Sequence, residues 1–190
     1  MSRRVPWLAL VGAGLVGLGL LGLGLTRERG APLVAHFQLT EVKTGTPFTE
    51  VSLRGRPTAL FFGFTYCPDV CPTALATAGR WLDALGPDAE KLRFVFVTVD
   101  PERDTAEQLS RYLSAFDARI QGLTGPRAQV EALMRPLGVF AQKTPVGESY
   151  VYDHTSLILL LDSNGLLVDT VDFHDREDQA LADLRAVLAR

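Results

Sequence analysis

The stretch TALFFGFTYCPDVCPTALATAGRWLDAL, Thr58 to Leu85, carries the transition on which the fold turns. Its first part, TALFFGFTY, is a near-continuous apolar run rich in aromatic residues. That pattern fits a strand covered on both faces. From Thr73 to Leu85 the period changes, placing Leu75, Ala78, Leu82 and Leu85 at helical spacing. A second buried run, LRFVFVTV, follows at Leu92 to Val99. Strand, helix and strand in this order make a βαβ unit, so the domain belongs to the α/β class.

Working outward, HFQLTEV and PFTEVSL alternate apolar and polar residues around a Lys43-Thr44-Gly45-Thr46 turn, the pattern of an antiparallel hairpin. Beyond the second buried strand, helices are expected over Thr105 to Phe116 and Arg127 to Arg135. Then come the apolar YVYDHTSLILLLD, an Asn164-Gly165 turn, LLVDTVDF and a closing helix from about Arg176. Asn-Gly between two apolar runs is a strong hairpin signal. The expectation is a central mixed sheet flanked by helices, with the first hairpin as an N-terminal extension.

Cys67 and Cys71 are the only cysteines in the 190 residues, with three residues between them and each followed by proline. They fall between the carboxyl end of a buried strand and the start of a helix, where open α/β sheets bind ligands. A helix containing all of residues 67 to 72 would set Pro72 against the Pro68 carbonyl at a cost of about 3 kcal/mol. The helix is therefore expected to begin at Pro72, with Cys71 as its N-cap, Pro68-Asp69 forming a turn and Cys67 closing the strand. Both sulfurs would then converge at the positive end of the helix dipole, which stabilises thiolate. Such a pair supports a disulfide, a redox exchange or a soft metal. Two inert core thiols are the alternative, but burial alone does not explain the twin prolines and the shared loop. Structural zinc would normally require four ligands, and C-x-x-C spacing is missing.

The segment Val5 to Leu25, VPWLALVGAGLVGLGLLGLGL, is 21 residues without a charge. As a helix it would span roughly 31 Å, enough to cross a hydrocarbon core of about 30 Å. No clean A-x-A cleavage site follows, which favours an uncleaved anchor over a secretory signal. The G-x-x-x-G dimerisation spacing is absent from it. The chain divides into an anchor with its cytoplasmic flank at 1–26, a linker at 27–32 and a folded domain at 33–190. A net charge of −3, with 19 basic residues spread among 22 acids, leaves no basic stripe, so nucleic acid is excluded as a partner.

Three motifs, TYCPDVCP, VDPERDT and YVYDHTS, resemble in order and spacing those of the Sco/SenC family of membrane-anchored, thioredoxin-like copper proteins. The resemblance runs from about Pro32 to the C-terminus. It implies a thioredoxin-like fold and a single-pass anchor in the inner membrane, with the soluble domain facing the periplasm or its equivalent. It implies copper, as Cu(I) or Cu(II), bound by Cys67, Cys71 and His154. It also implies delivery of that copper to the binuclear copper A centre of cytochrome c oxidase subunit II, or maintenance of that subunit's cysteines in the reduced state. A periplasmic copper donor and a thiol reductant follow as partners, since an oxidising compartment would otherwise close the dithiol.

The residues agree with this chemistry. His154 is expected to open the strongly apolar strand SLILLLD, and the turn-rich KTPVGESYVYD before it could present the imidazole at the sheet edge that carries the cysteines. Two thiolates and one imidazole suit copper by softness, and three ligands leave room for an acceptor to attack. The competing reading is a thiol-disulfide oxidoreductase using Cys67 and Cys71 as its redox pair, with no need of His154. Asp153 should face away from His154 across the strand. Asp69 is expected to stabilise its turn. Asp104 is placed three residues before Glu107, a capping-box spacing. Asp100 and Arg103 are candidates for supporting the copper loop or docking a partner. His36, His174, Trp81 and Met134 read as structural.

Overall fold

The computed structural model describes residues 36–190; the expected membrane span and linker lie outside them. The first hairpin forms as expected from β1 (Gln38–Glu41) and β2 (Pro47–Thr49), paired antiparallel with Leu39 opposite Phe48. The end of PFTEVSL departs from strand and winds into a short 3-10 helix, Glu50–Leu53, that buries Leu53. Strand β3 (Thr58–Gly63) is buried at every position, which requires cover on both faces. Helix α1 (Val70–Leu85) crosses to β4 (Arg93–Thr98), which runs parallel to β3 with Leu60 opposite Val95.

Helix α2 (Ala106–Leu113) leads into β5 (Ile120–Thr124), a strand that the sequence pattern did not reveal, parallel to β4. Gly122 explains its weak signal. A Cβ there would stand 2.4 Å from Leu113 of α2 and 2.9 Å from Val42, so the strand gives up a side chain to let its neighbours approach. After α3 (Arg127–Met134) come β6 (Ala141–Val146) and β7 (Ser149–His154), which pair only with each other. Strands β8 (Ile158–Leu161) and β9 (Leu167–Val171) form the Asn-Gly hairpin, and α4 (Glu177–Leu188) closes the chain.

The main sheet has the order β2-β1-β5-β4-β3-β8-β9. Strands β5, β4 and β3 are parallel, while β1 and β8 join them antiparallel. The first hairpin is thus an edge of the central sheet rather than an appendage to it. Helices α1 and α4 pack together, α2 lies on β5 and α3 reaches β1. Trp81 and Met134 are core residues, 2% and 7% exposed. This mixed sheet flanked by helices is a thioredoxin-like fold. Among the described residues no helix is long and apolar enough to cross a membrane.

Candidate metal centre

The cysteine loop is built differently from the expectation at both ends. Strand β3 stops at Gly63, and Phe64 to Cys67 make a turn closed by the Cys67 N–H on the Phe64 carbonyl, 3.2 Å. Helix α1 starts at Val70, with Asp69 as N-cap, two residues before Pro72. Pro72 is tolerated there because its i−4 carbonyl belongs to Pro68, outside the helix, and an N–H in the first turn has no helical partner anyway. Cys71 therefore sits inside the first turn. It is fully buried, whereas Cys67 is half-buried and both are free thiols.

Burial of Cys71 depends on Gly63, since a Cβ at that position would come within 2.8 Å of the Cys71 sulfur. The Cys71 N–H donates to Cys67 Sγ at 3.4 Å. Together the two sulfurs share their charge unequally. The hydrogen bond from the Cys71 thiol is the largest influence on Cys67; burial opposes it, and His154 and the backbone N–H groups of Cys71 and Asp69 add to it, bringing Cys67 down to about 4. Cys71 is pushed far up by the hydrogen bond it gives to Cys67, then by burial and by the neighbouring thiolate. The arrangement is a thiolate at Cys67 beside a thiol at Cys71.

His154 does not open the apolar strand β8; it ends β7. Its imidazole nevertheless arrives at the sulfurs, with Nε2 3.9 Å from Cys71 Sγ across 83 residues of sequence. Nδ1 lies 2.9 Å from the Thr155 carbonyl, which can only accept, so Nδ1 carries a proton and Nε2 is the nitrogen turned to the sulfurs. The ring stands edge-on to Phe64, centroids 5.8 Å apart. Asp153 points elsewhere, as the strand period requires, and accepts from Thr144 at 2.6 Å.

For thiolate and imidazole bonds of about 2.3 and 2.0 Å, a trigonal angle of about 120° sets the sulfur-to-nitrogen distance near 3.7 Å. The observed 3.9 Å is close to that span. Among the described residues no three such side chains already enclose a common point; the donors are hydrogen-bonded to one another. Loss of the thiol proton would convert that contact into a ligand set of two sulfurs and one nitrogen, soft and low in coordination number, the chemistry that favours copper.

Asp104 is a correction. It is not the cap of α2; Thr105 is, accepting from the Gln108 N–H at 3.2 Å. Asp104 is wholly buried and accepts from Thr65 N at 3.0 Å, Thr65 Oγ1 at 2.6 Å and Thr98 Oγ1 at 2.6 Å. It ties the DPERDT loop to the start of the cysteine loop. Burial raises its pKa, against the hydrogen bonds from Thr65 and Thr98. His36 and His174 stand away from the centre, each exposed and paired with an acid, Glu50 and Asp172.

A family model described as SCO1/SenC matches residues 26–189. The chain belongs to the SCO1/SenC family. Within that family, the copper-bound structure of ScoI from Bradyrhizobium japonicum is 41% identical, with a TM-score of 0.75 over 81% of this chain and 98% of that one. Copper-bound Sco1 from yeast is 31% identical, with a TM-score of 0.74 over 84% and 90%. The mitochondrial SCO2 protein of Saccharomyces cerevisiae is 35% identical over 78% of this chain and 50% of its own length. A putative copper-binding protein of Stutzerimonas stutzeri is 39% identical over 75% and 69%. The chain thus spans between 50% and 69% of the length of the first such relatives it matches.

Two residues beside this candidate centre, Tyr66 and Tyr150, were not singled out from sequence, whereas the Arg103 that they contact was. Tyr66, next to Cys67, and Tyr150, on β7, both lie against the Arg103 guanidinium, at 4.6 and 3.7 Å from ring centre to carbon. Both tyrosines fall inside the quoted motifs, so their place was visible and their contact was not. Arg103 pairs with the fully buried Asp100, which also accepts from the Tyr150 hydroxyl at 3.1 Å.

Proposed function

We propose that this protein is a copper carrier that serves cytochrome c oxidase assembly, receiving copper from a donor outside the cytoplasm and passing it to the binuclear copper A centre of subunit II. Cys67, Cys71 and His154 hold the cargo, the thiols losing their protons as it binds. The single observation supporting this is the approach of His154 Nε2 to the cysteine pair from a separate hairpin. Core packing gives no reason for a histidine to be placed there with its Nε2 toward two sulfurs. Similar family members whose structures hold copper support copper as the cargo. The segment Val5 to Leu25 would anchor the domain in the inner membrane, facing the periplasm.

The test is a titration of the reduced protein with one equivalent of copper, with free thiols counted before and after. Copper binds stoichiometrically, protects both thiols and, as Cu(II), gives a sulfur-to-copper charge-transfer band. His154→Ala weakens retention. Unchanged retention in that variant together with no charge-transfer band removes the proposal.

A second reading is favoured by the unequal sulfurs. Cys67, as thiolate, attacks a partner disulfide and forms a mixed disulfide; Cys71 then displaces the partner, which leaves as a dithiol while Cys67–Cys71 closes. Two electrons pass from this protein to its partner, and a separate thiol reductant restores the pair. Disulfide turnover that survives His154→Ala identifies this activity, because no step uses the imidazole.

A further inference from the structure

The sulfurs and the imidazole belong to parts of the molecule that share no strand pairing. Cys67 and Cys71 lie at the end of the main sheet, whereas His154 ends a two-stranded ribbon whose strands pair only with each other. Its placement against the domain must come from side chains. Alternation along β7 puts Tyr150, Tyr152 and His154 in one row. Tyr152 and His154 both meet Phe64 edge-on, at 5.8 Å in each case. Those ring contacts attract but do not orient strongly, and the directional contact that Tyr152 adds in this half of the row is the hydrogen bond its hydroxyl accepts from Arg127 Nη2 at 2.7 Å.

Tyr150, at the far end of the row, is held by directional contacts. Arg103 Nη1 donates to its backbone carbonyl at 3.1 Å, and its hydroxyl donates to Asp100 at 3.1 Å. Asp100 in turn accepts from Arg103 Nε. The guanidinium also lies against two rings, that of Tyr150 and that of Tyr66. Nη2 is buried without a hydrogen-bond partner, so the electron-rich ring faces are its compensation. One planar cation thus touches the residue beside Cys67 and the strand that ends in His154.

We propose that Arg103 is a positioning residue for copper binding, fixing strand β7, and with it His154, relative to the cysteine loop. The inference rests on the copper-carrier reading. From Tyr150 to His154 the strand runs about 13 Å at about 3.3 Å per residue, so a tilt of about 5° moves the imidazole by about 1 Å. Metal–ligand distances tolerate only about 0.2 Å. Lysine keeps the charge but has neither the planar face for the rings nor the fork that reaches Asp100 and the Tyr150 carbonyl together.

The experiment compares copper(I) affinity, by competition with a chelator, in the reduced full chain, Arg103→Lys, His154→Ala and the double variant. Arg103→Lys is expected to weaken binding about tenfold or more. In the His154→Ala background the same change has no further effect, because the residue acts through the imidazole. Equal weakening in both backgrounds, or none in either, overturns the proposal. Hydrogen exchange on the copper-free protein gives a second readout. Arg103→Lys accelerates exchange over residues 149–154 and leaves β3 and β4 unchanged; unaltered exchange in β7 also overturns it. If the wild-type protein takes up no copper, the carrier reading fails by itself, and the exchange measurement alone then judges the clamp. Should Arg103→Lys not fold, Tyr66→Leu removes an exposed ring while keeping the buried ion pair, and it is held to the same outcomes.

Discussion

Replacing Gly63 by alanine adds a single methyl group at the point where β3 meets the buried sulfur. The new Cβ would lie 2.8 Å from Cys71 Sγ and 2.8 and 3.0 Å from two atoms of the Phe96 ring, where ordinary contact begins at 3.4 Å. Phe96 cannot retreat, being fully buried between Phe61 and Tyr112, at centroid distances of 5.9 and 6.2 Å. Nor can the backbone, because Gly63 pairs with Thr98 and its carbonyl accepts from the Val99 N–H at 2.7 Å. The sulfur must move by about 0.6 Å, several times the tolerance of about 0.2 Å for a metal–ligand distance. Overpacking of this kind costs about 1–3 kcal/mol of stability. Disturbing a ligand's support costs about 10–100-fold in metal affinity. Thermal unfolding and chelator competition on the reduced protein read both quantities. Gly79→Ala is the control, since its Cβ meets only Asp117 at 3.5 and 4.0 Å and the site is interior to α1. It is expected to gain about 0.5–1 kcal/mol and leave copper binding unchanged. Wild-type copper affinity in Gly63→Ala would refute the reasoning, because Cys71 would then be free to shift or would not be a ligand.

Asp104→Ala leaves the Thr65 N–H and two threonine hydroxyls without an acceptor in a buried place, at about 1–3 kcal/mol each. A total near 3 kcal/mol lowers Tm by about 6–12 °C in a domain of this size, and a loss under about 2 °C would count against the tie it makes. Alkylation of reduced, copper-free protein reports Cys67. With its pKa at about 4, the thiolate is fully formed above about pH 6, so the rate stays flat from there to pH 8 and falls only toward the pKa. Cys71→Ala moves that fall to higher pH by removing the largest stabilising hydrogen bond; a rate that climbs tenfold per unit between about pH 6 and 8 in the wild type contradicts the assignment. In wild-type protein, amides of β6 and β7 are expected to exchange by local opening at free energies well below those of β3 and β4, and equal protection would show the ribbon to be part of the core.

What could be read from sequence follows the strength of the local signals. The β3–α1–β4 unit was plain because its strands are continuous apolar runs and its helix keeps a clean period. The β8–β9 hairpin was plain because Asn164-Gly165 admits few alternatives, and Gly165 does adopt positive φ, 78°. Strand β6 overlaps the segment KTPVGESYVYD, whose sequence is turn-rich. Its residues, AQKTPV, are mostly exposed and include Pro145, so neither alternation nor propensity marks it; only pairing with β7 makes it a strand. The helix start was misplaced because a local rule about proline was applied to a carbonyl that lies outside the helix. Asp104 was misread for a related reason: the spacing to Glu107 is a local pattern, whereas its actual partners are Thr65, 39 residues away, and Thr98. Cys67, Cys71 and His154 could be named from motifs, but their distances could not.

The two halves of the centre are held by different physics, and this bears on how such a site could both grip and release a metal. Cys71 is locked by close packing in a corner where β3, α1 and Phe96 leave no spare volume. His154 stands on a ribbon that would be marginal alone, since two strands cannot bury a face of their own. Its stability is therefore borrowed from the row Tyr150, Tyr152 and His154 and from what that row touches. Cys67 lies between these extremes, half-buried and next to the ring that meets Arg103. On the proposed copper-carrier reading, the ligand set has one point fixed by packing, one on a turn closed by a backbone hydrogen bond and one that depends on side-chain contacts. Exchange with an acceptor's thiolate requires one ligand to leave first, and the least strongly held is the imidazole. The order of ligand loss that this implies, His154 before either sulfur, follows from where the backbone hydrogen bonds of β7 go rather than from the intrinsic strength of any bond to the metal.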